Sequence, residues 1–218
     1  MSIDVLQAIA QAQASWQPPQ VPEDIPQGDM PGDKVWIGPQ SIEKANVAFR
    51  AALPMLQEAL KANPAHKAVI AVTGGSGVMK TCVSALFTYY LKELGIGAYT
   101  LSGDNYPWRI PVQNDAERMR IFRMGGVEGM LAQGVYNPEN AAILKELQLA
   151  DLDSEPKKRE EYPWLAAYQS AGREALSGYL GTELEQNYAK LESVLAQFKA
   201  GQEKIWLRRL GNEDTDLW

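Results

Sequence analysis

Read for its apolar and polar positions, the chain alternates between helical stretches and short runs of strand character. Residues 2–15 place Ile3, Val5, Leu6 and Ile9 on one stripe and predict a short helix. Residues 17–40 scatter Pro18, Pro19, Pro22, Pro26, Pro31 and Pro39 among Gly and Asp, which predicts an extended connector pinned to the core by Trp36-Ile37. Ser41 reads as the N-cap of a helix ending near Ala62, with Ala48, Ala51, Leu53, Leu56 and Leu60 facing inward and Pro54 kinking or splitting it. Residues 68–73 form an apolar run that predicts a first strand. A helix over residues 80–94 follows, closed by Gly95, and residues 96–101 predict a second strand.

The second half is patterned more simply. Residues 115–123 read as an arginine-bearing helix that Gly125-Gly126 breaks, with another helix starting over residues 127–132. Residues 138–149 predict a helix, and residues 151–161 a solvated run of mixed charge. Tyr162-Pro163-Trp164 reads as a packed aromatic cluster, with a lid over a site as the alternative. Thr182 is placed to cap a helix through Phe198 whose apolar stripe holds Leu184, Tyr188, Leu191, Val194, Leu195 and Phe198. Residues 204–208 offer a third strand, and no internal repeat is present.

The junction between the first strand and its helix carries the chemistry. Thr73 is followed by Gly74, Gly75, Ser76, Gly77, Val78, Met79, Lys80 and Thr81. A strand that empties into clustered glycines, then Lys-Thr, then a helix, is the P-loop arrangement. Backbone N–H groups surround a phosphate and the helix offers the positive end of its dipole. Lys80 would place its ammonium on the β- and γ-phosphates of ATP, and the Thr81 hydroxyl would complete a Mg2+ shell. The pattern departs at one position, since the glycine expected before the lysine is Met79. If Met79 must adopt positive φ, the strain is about 1–3 kcal/mol. Charge-assisted hydrogen bonds to phosphate, each worth about 1.5–3 kcal/mol, would outweigh it.

Past the second strand comes Ser102-Gly103-Asp104-Asn105, then Arg109 and a helix bearing Arg118, Arg120 and Arg123. Ligands in α/β sheets bind beyond the carboxyl ends of strands, which puts Asp104 where an acceptor hydroxyl belongs. Phosphoryl transfer needs cations on the phosphates, a metal, and a carboxylate at the attacking hydroxyl. Lys80, Thr81 and Asp104 supply one of each. Arg118 and Arg120 are two residues apart, so a helix points them in different directions. For each arginine a surface ion pair competes with substrate contact.

Residues 73–81 together with Leu101-Ser-Gly-Asp-Asn105 resemble the P-loop small-molecule kinases, the group that includes adenylylsulfate kinase, uridine kinase and phosphoribulokinase. The Gly-Asp-Asn segment looks most like that of adenylylsulfate kinase, with Ser102 in place of a first aspartate. The resemblance covers roughly residues 67–125. It implies catalytic roles for Lys80 and Asp104, metal contacts from Thr81 and Asp104, and an anionic substrate held by Asn105, Arg109, Arg118 and Arg120.

Composition narrows the class. A net charge of −6 argues against a general nucleic-acid binder, and the single cysteine fits a reducing cytoplasm. No apolar run reaches the roughly 18–20 residues that span a bilayer. His66 is the single histidine, which excludes multi-histidine metal chemistry. The expectation is an α/β fold with a P-loop parallel sheet flanked by helices. It is unusually helix-rich, because three strand candidates stand against the five such sheets normally hold. Residues 1–66 would pack as helices and connector on a kinase-like domain over residues 67–218, truncated or completed by further chain. The expected activity is ATP- and Mg2+-dependent phosphorylation of a small hydroxyl metabolite, with a homodimer left open. Competing readings are a non-catalytic nucleotide- or phosphate-binding protein with a degenerate loop, and a helical interaction module.

Overall fold

The computed structural model describes residues 4–26, 34–74 and 77–207. These fall into two compact units. One comprises residues 4–103 with 189–207, and the other residues 104–188.

In the first unit, helix α1 (Val5–Ser15) is capped by Asp4, whose carboxylate accepts from the Leu6 and Gln7 amides at 3.0 and 3.3 Å. Of its predicted stripe, Ile9 is fully buried, Val5 and Leu6 pack at its edge, and Ile3 lies outside the described residues. The proline-rich connector contains a short antiparallel hairpin, β1 (Asp24–Pro26) with β2 (Lys34–Trp36), registered Ile25 to Val35. Strand alternation turns Ile25 and Val35 inward, so Trp36 points out at 71% exposure and the connector is pinned by Ile25, Val35 and Ile37 instead.

Helix α2 (Pro39–Ala62) starts earlier than expected, with Gly38 at the N-cap and Pro39 at the first position. Ser41 is therefore not a cap but a buried residue of the first turn. Pro54 lies inside a single continuous helix. The buried stripe is Ser41, Ala45, Phe49, Leu53, Leu56 and Leu60, and the expected Ala48 and Ala51 face solvent. Successive residues turn by 100° on a helix, so Ala51 cannot share a face with Leu53, and Phe49 takes the inner position. Phe49 packs against Trp16, Phe87 and Tyr90 with ring centroids 4.6–5.2 Å apart.

Helix α3 (Lys80–Glu93) ends as predicted. Gly95 adopts φ 76°, while the Gly95 and Ile96 amides donate to the Lys92 and Leu91 carbonyls at 2.8 Å, a Schellman closure. The segments on either side, 68–73 and 96–101, carry no strand in the structure, nor do residues 204–207. Val69, Ile70 and Tyr99 are partly or largely exposed there. Arg208 lies outside the described residues.

The second unit is built on α4 (Pro111–Ala132) and α7 (Leu165–Ser177). Gly125-Gly126 does not break α4, which runs straight through the pair. The glycines instead allow close approach: a Cβ on Gly129 would stand 2.2 Å from the Ala171 Cβ, and one on Gly125 2.3 Å from that of Ala175. Helix α5 (Pro138–Leu149) forms as expected, capped by Asn137, and α6 (Lys158–Glu161) adds one turn. Tyr162 and Trp164 pack against the cluster of Phe122, Met130, Leu144, Leu147, Leu165 and Tyr168. The mixed-charge run is not uniformly solvated, because Asp153 is fully buried. Thr182 closes a turn, donating to the Tyr179 carbonyl at 2.7 Å, rather than starting a helix. Helix α8 (Tyr188–Lys199), which from Ala189 on belongs to the first unit, begins later than expected, and Leu184 is exposed. Among the described residues, no helix is long and apolar enough to cross a membrane.

The α4–α7 contact predicts a steep penalty for one methyl group. Gly129→Ala should lose about 1–3 kcal/mol of stability by overpacking. Gly97→Ala, where a Cβ meets nothing within 4 Å, should be near neutral. Urea denaturation of both variants checks this.

Candidate functional site

The glycine loop leads into α3 through two left-handed turns. Gly77 has φ 76° with open space where a Cβ would stand, and Met79 has φ 69° and ψ 26°. The glycine-like conformation at position 79 is thus adopted by a methionine, at a cost of roughly 1–2 kcal/mol. Gly75 and Ser76 lie outside the described residues. Val78 is exposed, and its Cγ2 closes the space beside Gly74, where a Cβ would meet it at 2.9 Å. The Met79 side chain runs to the first turn of α2, where its Sδ accepts from Ser41 Oγ at 3.5 Å.

Lys80 is the first residue of α3 and is half-buried, and Thr81 follows it exposed. No side chain among the described residues caps this helix, and its first turn holds no carboxylate. The Met79 carbonyl accepts from the Val83 amide at 3.0 Å, and Ser84 Oγ donates to the Lys80 carbonyl at 3.0 Å. A helix start carrying one ammonium, one hydroxyl and no acid suits the phosphates of a nucleotide and a Mg2+ held by them. Cys82, half-buried with Sγ 3.9 Å from the Trp36 carbonyl, packs there as a small residue.

The residues expected on the acceptor side belong to the second unit. A 3-10 turn spans Gly103–Asn105, with Asp104 exposed and Asn105 buried. Arg109 reaches the Tyr179 hydroxyl at 3.1 Å and Glu117 at 3.7 Å. Arg120 grips Glu117 in a two-point pair at 2.7 and 2.8 Å. Arg118 points elsewhere, as residues two apart on a helix must. Its Nε and Nη2 hold Glu185 Oε1 at 2.7 and 2.6 Å, and its Nη1 holds Asp115 at 3.0 Å. Each of the three arginines therefore has a carboxylate partner inside its own unit.

Glu185 is the polar residue the sequence did not single out. It is 2% exposed and also accepts from Asn114 Nδ2 at 3.0 Å and the Gly181 amide at 2.7 Å. Burial pushes its carboxyl up, but the Gly181 amide, Asn114 and Arg118 outweigh that and hold it below the usual range. Asp153 is held in the same way further along α4, bound by Arg123 at 3.0 and 3.2 Å and by the Tyr168 hydroxyl at 2.6 Å. Burial, and then the bond to Asp153, drive the Tyr168 hydroxyl well above its ordinary value. An open groove of about 650 Å3 runs along α4, lined by Met119, Met124 and Val127 with Arg120, Arg123 and Gln148. Nothing in an acidic residue's local sequence marks it as buried, which is why Glu185 and Asp153 escaped notice.

No family model matches the chain. It is 31% identical over 155 residues to the bifunctional alpha-galactosidase/sucrose kinase of Mediterraneibacter gnavus. That match spans 71% of this chain and 12% of the relative, so the chain corresponds to about an eighth of that protein's length. No solved structure matches significantly.

The Glu185 network sets an acid limit on the second unit. Its depressed carboxyl adds stability that is fully present above the unfolded value of about 4.3 and is lost as pH falls through the lower folded value. Urea midpoints should therefore drop below about pH 4. Glu185→Gln should cost about 1–3 kcal/mol at pH 7 and flatten that segment of the acid profile.

Proposed function

We propose that this chain is the phosphotransferase region of a P-loop-type kinase, moving the γ-phosphoryl of Mg·ATP to a hydroxyl of a small, sugar-like metabolite. The carrying observation is Lys80 at the first position of a helix whose first turn holds no carboxylate and, among the described residues, no side-chain cap, entered through left-handed residues at Gly77 and Met79. The similarity to a relative named for a sucrose kinase supports the same reading. The fold that goes with it calls for residues 68–73 and 96–101 as parallel strands on either side of α3, in β-α-β order, where the structure carries no strand.

In this reading the loop amides and Lys80 hold the phosphates, Thr81 contributes to the Mg2+ shell, and Asp104 takes the acceptor's proton. The hydroxyl oxygen bonds to the γ-phosphorus as the bond to the bridging oxygen breaks, and ADP leaves. The arginine pairing bears on the acceptor. An anionic substrate such as adenylylsulfate must compete with Glu117, Glu185 and Asp115 for Arg109, Arg118 and Arg120. A neutral sugar needs none of those cations. The ion pairs therefore favour a sugar hydroxyl over the anionic acceptor suggested by Gly103-Asp104-Asn105. The second reading, a nucleotide-binding protein without turnover, is favoured by Met79 at the glycine position.

Calorimetric titration with Mg·ATP should give binding in wild type and at least tenfold weaker binding in Lys80→Ala, the loss of one charged hydrogen bond or more. Asp104→Asn should keep the ATP affinity and lose ADP release with sucrose and related sugars. Binding without release from any hydroxyl substrate supports the second reading, and no binding by wild type removes both.

A further inference from the structure

We propose that Met79 and Ser41 form an anchor that fixes the loop before Lys80 to the first turn of α2, so that both are positioning residues. The proposal rests on the phosphate-loop reading and goes beyond it by giving the methionine a task.

Three features of the geometry combine. Met79 sits in the left-handed region at φ 69°, where glycine is at ease and methionine is not. Its flexible side chain carries sulfur to Ser41 Oγ, 3.5 Å away. Ser41 is 5% exposed and belongs to the buried stripe of α2, so the acceptor meets a donor held by the core. A second contact shows that α2 and α3 lie side by side here: Phe49 on α2 packs on Phe87 of α3 with centroids 5.2 Å apart. Ser41–Met79 is the same contact repeated two turns toward the N-termini. A serine at a core-facing position is otherwise a liability, since its hydroxyl must find a partner on burial. Thioether and hydroxyl each supply what the other position lacks.

An anchor of this kind holds the Met79 carbonyl and the first amides of α3 in one arrangement. The entry to α3 at Met79 and Lys80 is then pre-set for an anion rather than ordered by it. The methionine at the glycine position is in this account a device for stiffness and not a sign of decay.

The test uses the full chain and four variants: Ser41→Ala, Met79→Leu, the double variant and Met79→Gly. Hydrogen exchange of the Val83 amide, which donates to the Met79 carbonyl at 3.0 Å, reads the anchor directly when measured without nucleotide. Exchange should rise about threefold to tenfold in each single variant, the scale of one ordinary hydrogen bond. The double variant should be no worse than either single one, the signature of a direct pair. Met79→Gly removes strain and anchor together, so exchange should rise while the thermal midpoint stays level or increases. Mg·ATP affinity should fall by the same factor as exchange rises. Unchanged exchange in Ser41→Ala, or additive effects in the double variant, overturns the anchor. If wild type fails to bind Mg·ATP, the phosphotransferase reading falls, while the exchange measurement still decides the anchor.

Discussion

Phe49 is the side chain on which the first unit turns. It is fully buried and touches Trp16, Phe87 and Tyr90, so the end of α1, the middle of α2 and the middle of α3 meet at one ring. Edge-on and tilted aromatic contacts each add about 0.5–1.5 kcal/mol beyond the area they bury, and they are directional. That direction matters more than the energy. Once Phe49 and Phe87 are face to edge, the helix axes can slide only in steps of a turn, because ridges must stay in grooves. The N-termini of α2 and α3 then arrive together, and Ser41 comes within reach of Met79. The Trp16 indole N–H, donating to Asn46 at 2.7 Å, locks the third partner in place. The position of Lys80 relative to α2 is thus inherited from an aromatic contact two turns away.

The second unit solves its packing problem by the opposite means. Its helices meet through the absence of side chains: Gly125, Gly126 and Gly129 on α4 lie against Tyr168, Ala171 and Ala175 on α7, and Gly172 lies against the Phe122 carbonyl. Close backbones leave little apolar volume between them, so the burial that remains is partly polar. Glu185 and Asp153 are each held by an arginine of α4 and by further donors. A buried carboxylate with several donors is neutral to mildly favourable when complete and costly when any donor is removed. Such a network therefore fixes geometry more than it adds stability. Here it fixes the rotamers of Arg118 and Arg123, and so which faces of α4 carry positive charge.

What the sequence made legible follows from locality. Gly77 and Gly95 announced left-handed backbone, and both have it, because that preference belongs to the residue itself. The helix over residues 138–149 was legible too, with Pro138 in its first turn, where a fixed φ suits a helix start. Gly125-Gly126 misled, since the local cost of glycine in a helix, about 1 kcal/mol each, is smaller than the gain from packing α4 on α7. Trp36 misled because apolar size suggests burial while strand alternation decides it. Phe49 was overlooked because Ala48 and Ala51 also offered an apolar stripe, and choosing between stripes needs to know where the neighbours are. At the candidate site the residue types Lys80, Thr81 and Asp104 could be read from the chain, as could Asp115 and Glu117 three residues before Arg118 and Arg120, but Glu185 on Arg118 could not. An ion pair between residues 67 apart leaves no local trace.

The exchange of glycine for methionine before Lys80 can be weighed in magnitudes. Glycine adopts the left-handed turn without strain, but it loses more chain entropy on ordering than any other residue, by roughly 0.5–1 kcal/mol relative to alanine. Methionine suffers about 1–2 kcal/mol of steric cost in that region. It has fewer backbone states to lose and gains one hydrogen bond of about 0.5–1.5 kcal/mol with packing around its sulfur. The two sums are equal within their spread, so stability does not choose between the residues. What differs is the breadth of the well. A glycine turn can be reshaped by whatever binds it, whereas a methionine tied to Ser41 keeps one shape whether or not an anion is present. For a loop whose amides must converge on a phosphate, a fixed shape shifts the ordering cost from the moment of binding to the moment of folding. There the aromatic contact between α2 and α3 already supplies the restraint.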